Sequence, residues 1–263
     1  MIRRWPGYKI AILVLAVLAI VEGIWIVVLL VSRPPKKIPK VVIPLKGRIA
    51  IVIDDWGYNL NNLYMLEKIK YPLTMSVLPN LNYSARVSEV LHKRGFQTIL
   101  HLPMEPREKY RLEQNTILTS MDEATIINIM RKDLASIRYA AGVSNHMGSR
   151  ATQDPRTMGI IFKELKKKNL YFLDSLVSSA SICFDLANKM QIAFANRDVF
   201  LDNREEPEYI MGQINKLKNI AKVYGRAIGI GHDRKVTLEV LKGAMPELEK
   251  EGYKFVFVSE LLR

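Results

Sequence analysis

Short apolar runs that stop abruptly at acids or histidines are the strongest constraint on how this chain folds. The clearest is IAIVIDDWGYN, Ile49 to Asn59, in which five consecutive apolar residues are followed at once by Asp54 and Asp55. Alternation of apolar and polar residues would mark a sheet with one wet face. An unbroken run marks a strand buried on both faces, the habit of parallel sheets whose crossover helices cover each side. Comparable runs place strands at Arg48–Asp54, Leu73–Leu78, Gln97–Leu102, Gly142–Asn145, Tyr171–Asp174, Ala193–Leu201, Arg226–Gly231 and Lys254–Val258. Helical patterns fall between them, at Asn61–Ile69, Tyr83–Lys93, Asp122–Ala140, Pro155–Lys168, Ala180–Met190, Pro207–Val223 and Lys235–Glu251. Asp122 is placed to cap a helix N-terminus, and Gly95, Gly225 and Gly252 sit just past helix ends, where a left-handed residue is wanted. Seven or eight βα units between residues 47 and 263 make an α/β fold, a (β/α) barrel by count. An open doubly wound sheet is the competing arrangement.

The segment before this domain has another character. Ile10 to Ser32 carries a single charge, Glu22, and as a helix would reach about 34 Å, enough to cross a bilayer. Glu22 costs about 2.5–3.5 kcal/mol near the bilayer centre, which some twenty apolar neighbours offset. The run exceeds the apolar core of a cleavable signal peptide, and no small-x-small cleavage site follows it. Residues 10–32 therefore read as an uncleaved single-pass anchor after a short basic segment, 1–9. Arg3, Arg4 and Lys9 before the span and Arg33, Lys36, Lys37 and Lys40 after it nearly balance. A signal-anchor leaves the short leading segment in the cytoplasm and the domain outside it. Residues 33–46, with four prolines in RPPKKIPKVVIP, read as an extended spacer whose lysines suit anionic headgroups. The domain then occupies 47–263.

A net charge of +13 favours anionic partners: lipid, acidic envelope polymers or nucleic acid. The basic residues are scattered over helix faces, and an anchor plus an acidic cluster at strand ends oppose a nucleic-acid function. Cys183, the single cysteine, excludes an internal disulfide and any cysteine-rich zinc site. The glycines of GIGHD lack the spacing of a phosphate-cradling loop.

Parallel α/β folds expose their chemistry at strand C-termini. Asp54 and Asp55 follow the first strand, and His101 ends the third. Asn145, His146, Ser149 and Arg150 follow the fourth, Asp174 the fifth, Asp202 the sixth and His232 the seventh. Three of four histidines thus fall at strand ends; His92 lies in a basic helix end and reads as surface. One strand-end histidine is commonly a core residue, but three beside several aspartates point to a joint site. Two imidazoles and a carboxylate suit zinc or another divalent transition metal. Adjacent carboxylates do not usefully share one task, so one as ligand and one as base is the natural division. An N-cap explains one of the two aspartates, not both. Trp56 and Tyr58 suit stacking on sugar rings or packing of a loop. Asn145, Ser149, Arg150 and Asp202 suit substrate binding or orientation of the ligands.

VIDDWGY, LPMEP, SNHMGSRAT, YFLDS and IGIGH resemble, in order, the motif series of the divergent polysaccharide deacetylases, relatives of the carbohydrate esterases. The resemblance covers Gly47 to Arg263. It implies a distorted (β/α) barrel of seven to eight units and an envelope hydrolase that removes acetyl groups from a polysaccharide amide or ester. It assigns Asp54 as base, Asp55 as metal ligand, His232 as the acid on the leaving group, and Asp174 as the residue that tunes the base or positions the acid. The family's second motif carries two histidines four residues apart. Here His101 stands without such a partner, Glu105 occupies the second place, and His146 is expected to complete the metal set. The alternative is a degenerate, anchored barrel that binds glycan or an envelope protein without hydrolysis.

Overall fold

A computed structural model describes residues 6–32 and 44–262. The leading basic residues Arg3 and Arg4 and most of the expected spacer, residues 33–43, lie outside the described residues. The chain divides into two units, before and after residue 42. In the first, helix α1 spans Gly7–Val31 and is long and apolar enough, by length and composition, to cross a membrane.

In the second unit all strand pairings are parallel. The elements in chain order are β1 Gly47–Trp56, β2 Thr74–Val77, α2 Ser84–Lys93, β3 Gln97–Met104, α3 Glu123–Ser136, β4 Ala140–Met147 and α4 Pro155–Lys168. They continue as β5 Tyr171–Asp174, α5 Cys183–Met190, β6 Phe194–Asn196, β7 Val199–Phe200, α6 Pro207–Tyr224, β8 Arg226–His232, α7 Lys235–Lys250 and β9 Tyr253–Phe255. The sheet order is β6-β5-β4-β3-β2-β1-β8-β7. One edge of β1 pairs with β8 throughout; the other carries β9 at Gly47–Ile49 and β2 beyond Val52. The two ends of this curled path, β6 and β7, are consecutive in the chain. Arg197 N–H donates to Asp174 O at 3.0 Å on one side of the seam, and Asp198 N–H to Ile228 O at 2.9 Å on the other. The distorted (β/α) barrel that the family resemblance implied is the architecture found, rather than an open doubly wound sheet.

Strand alternation sorts the core into two layers. Ile49, Ile51 and Ile53 of β1 face the helices with Leu100, Leu102, Val143 and Phe172. Ala50 and Val52 face the barrel interior with Ile99, Leu173, Ala195, Ile228 and Ile230. Even positions of β1 and β8, and odd positions of β3, thus point inward. Extending each series to its strand end puts Asp54, His101 and His232 on the inner face.

Local chemistry explains the helix boundaries. The Asp122 carboxylate accepts from Thr125 N–H and the Asp154 carboxylate from Thr157 N–H, both at 2.7 Å. Pro155 follows in the first turn of α4, where its missing donor costs nothing. Gly95 and Gly225 end α2 and α6 with φ of 82° and 76°, and Gly252, at φ 101°, follows α7.

Three expected elements differ. Asn61–Ile69 is not an α-helix but a 3₁₀ segment over Leu63–Lys68. Leu63, Leu66 and Ile69 recur every three residues, which one face of a 3₁₀ turn accommodates. The single strand expected at Ala193–Leu201 is two, β6 and β7, because the chain crosses the seam at Arg197–Asp198. The last strand stops at Phe255, and Val256 and Val258 turn inward to fill the barrel. Cys183 opens α5 and is free and buried.

Candidate metal centre and active site

On a regular strand Asp54 and Asp55 would point to opposite faces. The β1–β2 register breaks between Ile53 and Trp56, and Asp55 takes φ 66°. That left-handed backbone is uncommon for a residue bearing a Cβ, though aspartate tolerates it better than most. It turns Asp55 back towards the mouth beside Asp54. Strain of this kind, worth about 1–3 kcal/mol, concentrates at functional sites.

Three donor atoms meet there. Asp55 Oδ1 lies 3.3 Å from His101 Nε2 and 3.2 Å from His146 Nδ1, and those nitrogens are 3.3 Å apart. Ligands about 2.0–2.1 Å from one ion at tetrahedral angles are separated by about 3.3–3.4 Å, so the triangle fits a zinc-sized cation. Asp55 Oδ1 is buried and makes no well-formed hydrogen bond. An orphaned, buried carboxylate oxygen against two imidazole nitrogens is a donor set that a cation would satisfy. Burial opposes ionisation of Asp55, but His101 and His146 outweigh it and hold its pKa well below the usual carboxylate range.

The imidazoles are aimed by different means. His101 Nδ1 shares a 2.8 Å hydrogen bond with Ser144 Oγ, which meets Ser76 Oγ at 2.7 Å. That buried chain from β2 and β4 leaves His101 Nε2 for the triangle. His146 is the next-to-last residue of β4, ahead of Met147, φ 55°, and Gly148, φ 88°. A Cβ at Gly148 would sit 3.0 Å from the Met104 Cβ, so the turn that presents His146 needs glycine.

Asp54 is 2 % exposed, with Oδ2 3.7 Å from His101 Nε2 and Oδ1 without a hydrogen bond. Burial raises its pKa against the opposing pull of His101 and His232. Across the mouth, Asp202 is fully buried and grips His232 twice, accepting from its backbone N–H at 2.8 Å and meeting its Nδ1 at 2.7 Å. Thr237 Oγ1 donates to the same carboxylate at 2.6 Å. Burial works against the His232 imidazolium, but the Asp202 bond and charge, with Asp54 and Asp55, hold its pKa above the ordinary value.

Several expected residues serve elsewhere. Asp174 shares the strand parity of Phe172, which faces the helices, so it points away from the interior. Its carboxylate accepts from Leu176 N–H at 2.8 Å and Ser181 Oγ at 2.6 Å. The carboxylate on His232 is that of Asp202, while Asp174, expected to tune the base or position the acid, is bonded to Leu176 and Ser181. Trp56 is fully buried in the outer core with an unpartnered Nε1, so it packs rather than meets a sugar. Tyr58 is half-exposed and hydrogen-bonded to Glu113. Asn145 ties the His146 strand to β5, accepting from Ser175 N–H at 2.8 Å and donating to Met147 O at 2.7 Å. Ser149 accepts from Arg107 N–H at 2.9 Å and donates to Glu108 at 2.8 Å, and Arg150 donates to Glu105 at 3.1 Å. The Glu105 carboxylate also accepts from the Thr119 amide at 2.6 Å and hydroxyl at 2.7 Å, so it anchors the loop after β3. His92 stacks on Tyr139 at the surface, centroids 3.9 Å apart.

Other site neighbours escaped the sequence reading. Ser76 and Ser144 lie on inward positions, but only the folded register joins them to His101. Phe200 stacks on His232 with ring centroids 6.1 Å apart, and the Arg197 guanidinium lies 3.7 Å from the centroid of the Phe200 ring. Asp233, held by Asn62 Nδ2 at 2.8 Å, is pushed up to about 6 by burial and by Asp55, against the Asn62 bond. Its place directly after His232 was the available signal.

Fold and site together define an α/β barrel with a candidate divalent-metal centre at its strand C-termini, flanked by a buried carboxylate and an Asp–His pair. The chain belongs to the divergent polysaccharide deacetylase family, whose model matches residues 51–262. It is 33% identical over 198 residues to the uncharacterized protein YibQ of Escherichia coli K12, covering 75% of this chain and 62% of that one. The uncharacterized protein ATU2773 of Agrobacterium tumefaciens C58 superposes with TM-score 0.79 at 22% identity, over 84% of this chain and 92% of that one. A family 4 acetyl xylan esterase from Clostridium thermocellum, in complex with a cobalt ion, has the same fold at TM-score 0.51 and 15% identity, over 82% and 90% of the two chains.

Proposed function

We propose that the protein is a membrane-anchored, metal-dependent hydrolase that removes acetyl groups from a cell-envelope polysaccharide. The observation that carries this reading is the triangle of Asp55 Oδ1, His101 Nε2 and His146 Nδ1, with its orphaned carboxylate oxygen. These three residues would hold the ion, zinc or a similar divalent metal. When bound, such an ion polarises an acetyl carbonyl and lowers the pKa of water. Asp54 takes the proton of the attacking water; its raised pKa brings it closer to the working pH, as a general base requires. His232 protonates the departing amine or hydroxyl through Nε2, since Asp202 holds Nδ1. Tyr58 and Phe200 supply aromatic surface beside the mouth. Water thus divides into the hydroxyl of released acetate and the proton on the sugar. Helix α1 anchors the chain in the bilayer, with the barrel outside the cytoplasm.

Asp54→Asn tests the division of labour. The variant keeps its metal and loses acetate release by about 10²-fold or more. Loss of metal in this variant would reverse the two aspartate roles, and undiminished acetate release would end the proposal. A second reading rests on Glu105. Its carboxylate, in the place of the family's second histidine, is committed to Thr119 and Arg150. A barrel altered in this way would bind glycan without cleaving it, and would retain acetylated glycan through a pull-down while releasing no acetate.

A further inference from the structure

The end of the barrel opposite the site is built differently. The chain enters there: Lys46 N–H donates to Gly252 O at 2.8 Å and Gly47 pairs with Tyr253 of β9. At the same end a cleft of about 530 Å³ opens between the segment before β2, the later turns of α7, and β9. Lys68, Lys70, Lys242 and Lys254 line it over a floor of Tyr71 and Phe255, whose rings lie 5.1 Å apart. Among the described residues none of these four lysines has an ion-pair partner. The one carboxylate in the lining, Glu249, accepts from the Tyr71 hydroxyl at 2.8 Å.

We propose that this lysine cleft docks the barrel on a bilayer bearing anionic lipid, the ammonium groups meeting headgroup phosphates. The proposal rests on the reading of α1 as a bilayer anchor. Four cations against one engaged carboxylate make an unneutralised patch that would seek anions. Lipid is favoured over a soluble anion because the chain enters the barrel at this end, soon after a helix read as a bilayer anchor. The 11 residues 33–43 between the two described units reach at most about 36–40 Å when fully extended. Arg33, Lys36, Lys37 and Lys40 within them add the same sign of charge. Docking through this face turns the catalytic mouth away from the bilayer. The strand rise from Gly47 to Asp55 separates entry face and site by about 26 Å. The substrate of such an enzyme is polymer standing off the membrane rather than a glycan carried in the headgroup layer.

The test uses the full chain reconstituted in phosphatidylcholine vesicles with and without phosphatidylglycerol, and reads lysine acylation rates by mass spectrometry. Lys70 and Lys254 should react at least about fivefold more slowly with the anionic lipid, and high salt should abolish the difference. Lys109, after β3 at the opposite end, should react equally in both. In a K70Q/K254Q variant, whose thermal unfolding checks its fold, Lys68 and Lys242 should lose their protection. Equal rates in both vesicles would overturn docking, and so would protection produced in neutral vesicles by inorganic phosphate. Flotation separates the two premises. A chain that fails to float with vesicles refutes the anchor and docking together, whereas one that floats with unprotected lysines refutes docking alone.

Discussion

Replacing Asp202 with asparagine probes the acid side of the site. Its carboxylate receives His232 N–H, His232 Nδ1 and the Thr237 hydroxyl at 2.8, 2.7 and 2.6 Å. Asparagine keeps the volume and one acceptor oxygen but removes the charge facing the imidazolium. A hydrogen bond to a charged group contributes about 1.5–3 kcal/mol. If that stabilisation is expressed in the proton-transfer step, kcat/KM falls about 10- to 150-fold. The pH dependence has a definite sign. Asp202 is the main force holding the His232 pKa up against burial. An acid must be protonated to act, so the alkaline limb of the rate profile should move to lower pH in Asp202→Asn. Acetate release from an N-acetylated sugar oligomer should suffer the full loss. An acetyl ester of an acidic phenol, whose leaving group departs without a proton, should suffer little. Equal losses on both substrates with an unmoved alkaline limb would refute the assignment of His232 as acid.

Other consequences concern packing and support. Asp133 of α3 is buried, accepts from Asn80 Nδ2 at 2.6 Å and has its pKa pushed up to about 7, mainly by burial. A carboxyl neutral below about pH 4 in both folded and unfolded chains costs nothing there, and the cost grows until the folded group ionises near pH 7. Asp133→Asn should therefore be more stable than the native chain by about 2–4 kcal/mol at pH 8 and nearly equal at pH 4 by denaturant melts; a pH-independent difference would contradict this. Trp56→Phe, which removes an unpartnered buried N–H, should cost less than about 1.5 kcal/mol against about 3–5 for Trp56→Ala in the same melts. Similar costs for the two would show that Nε1 is satisfied. Ser144→Ala leaves His101 Nδ1 without its partner and should weaken metal binding about 10- to 100-fold in a chelator competition; unchanged affinity would remove the Ser76–Ser144 chain from the account.

The barrel was legible because Ile49–Ile53 of β1, Tyr171–Leu173 of β5 and Ala227–Ile230 of β8 are unbroken apolar runs, a pattern that two covered faces impose. The strand-end position of Asp54, His101, His146 and His232 was legible for the same reason, since polarity begins where burial ends. What escaped was direction. Asp174 ends its strand as visibly as the others, yet it lies on the parity of Phe172 and turns towards the helices. Asp55 would have faced the same way had the backbone not entered the left-handed region, a local choice that the residue type permits but does not announce. Asp202 follows a run that looked like one strand, and only the closure seam at Arg197–Asp198 shows that it belongs opposite His232. Trp56 was ambiguous for a simpler reason: an aromatic residue after a strand serves a core or a ligand equally well, and burial decides.

Metal content tests the central claim most directly. The full chain, purified in detergent after exposure to zinc, cobalt or other divalent ions, should carry roughly one ion per chain through gel filtration. Asp54→Asn should carry the same amount, whereas Asp55→Asn and His146→Ala should carry none. A native chain that never retains stoichiometric metal, or a His146→Ala chain that retains it undiminished, would contradict the site as assigned.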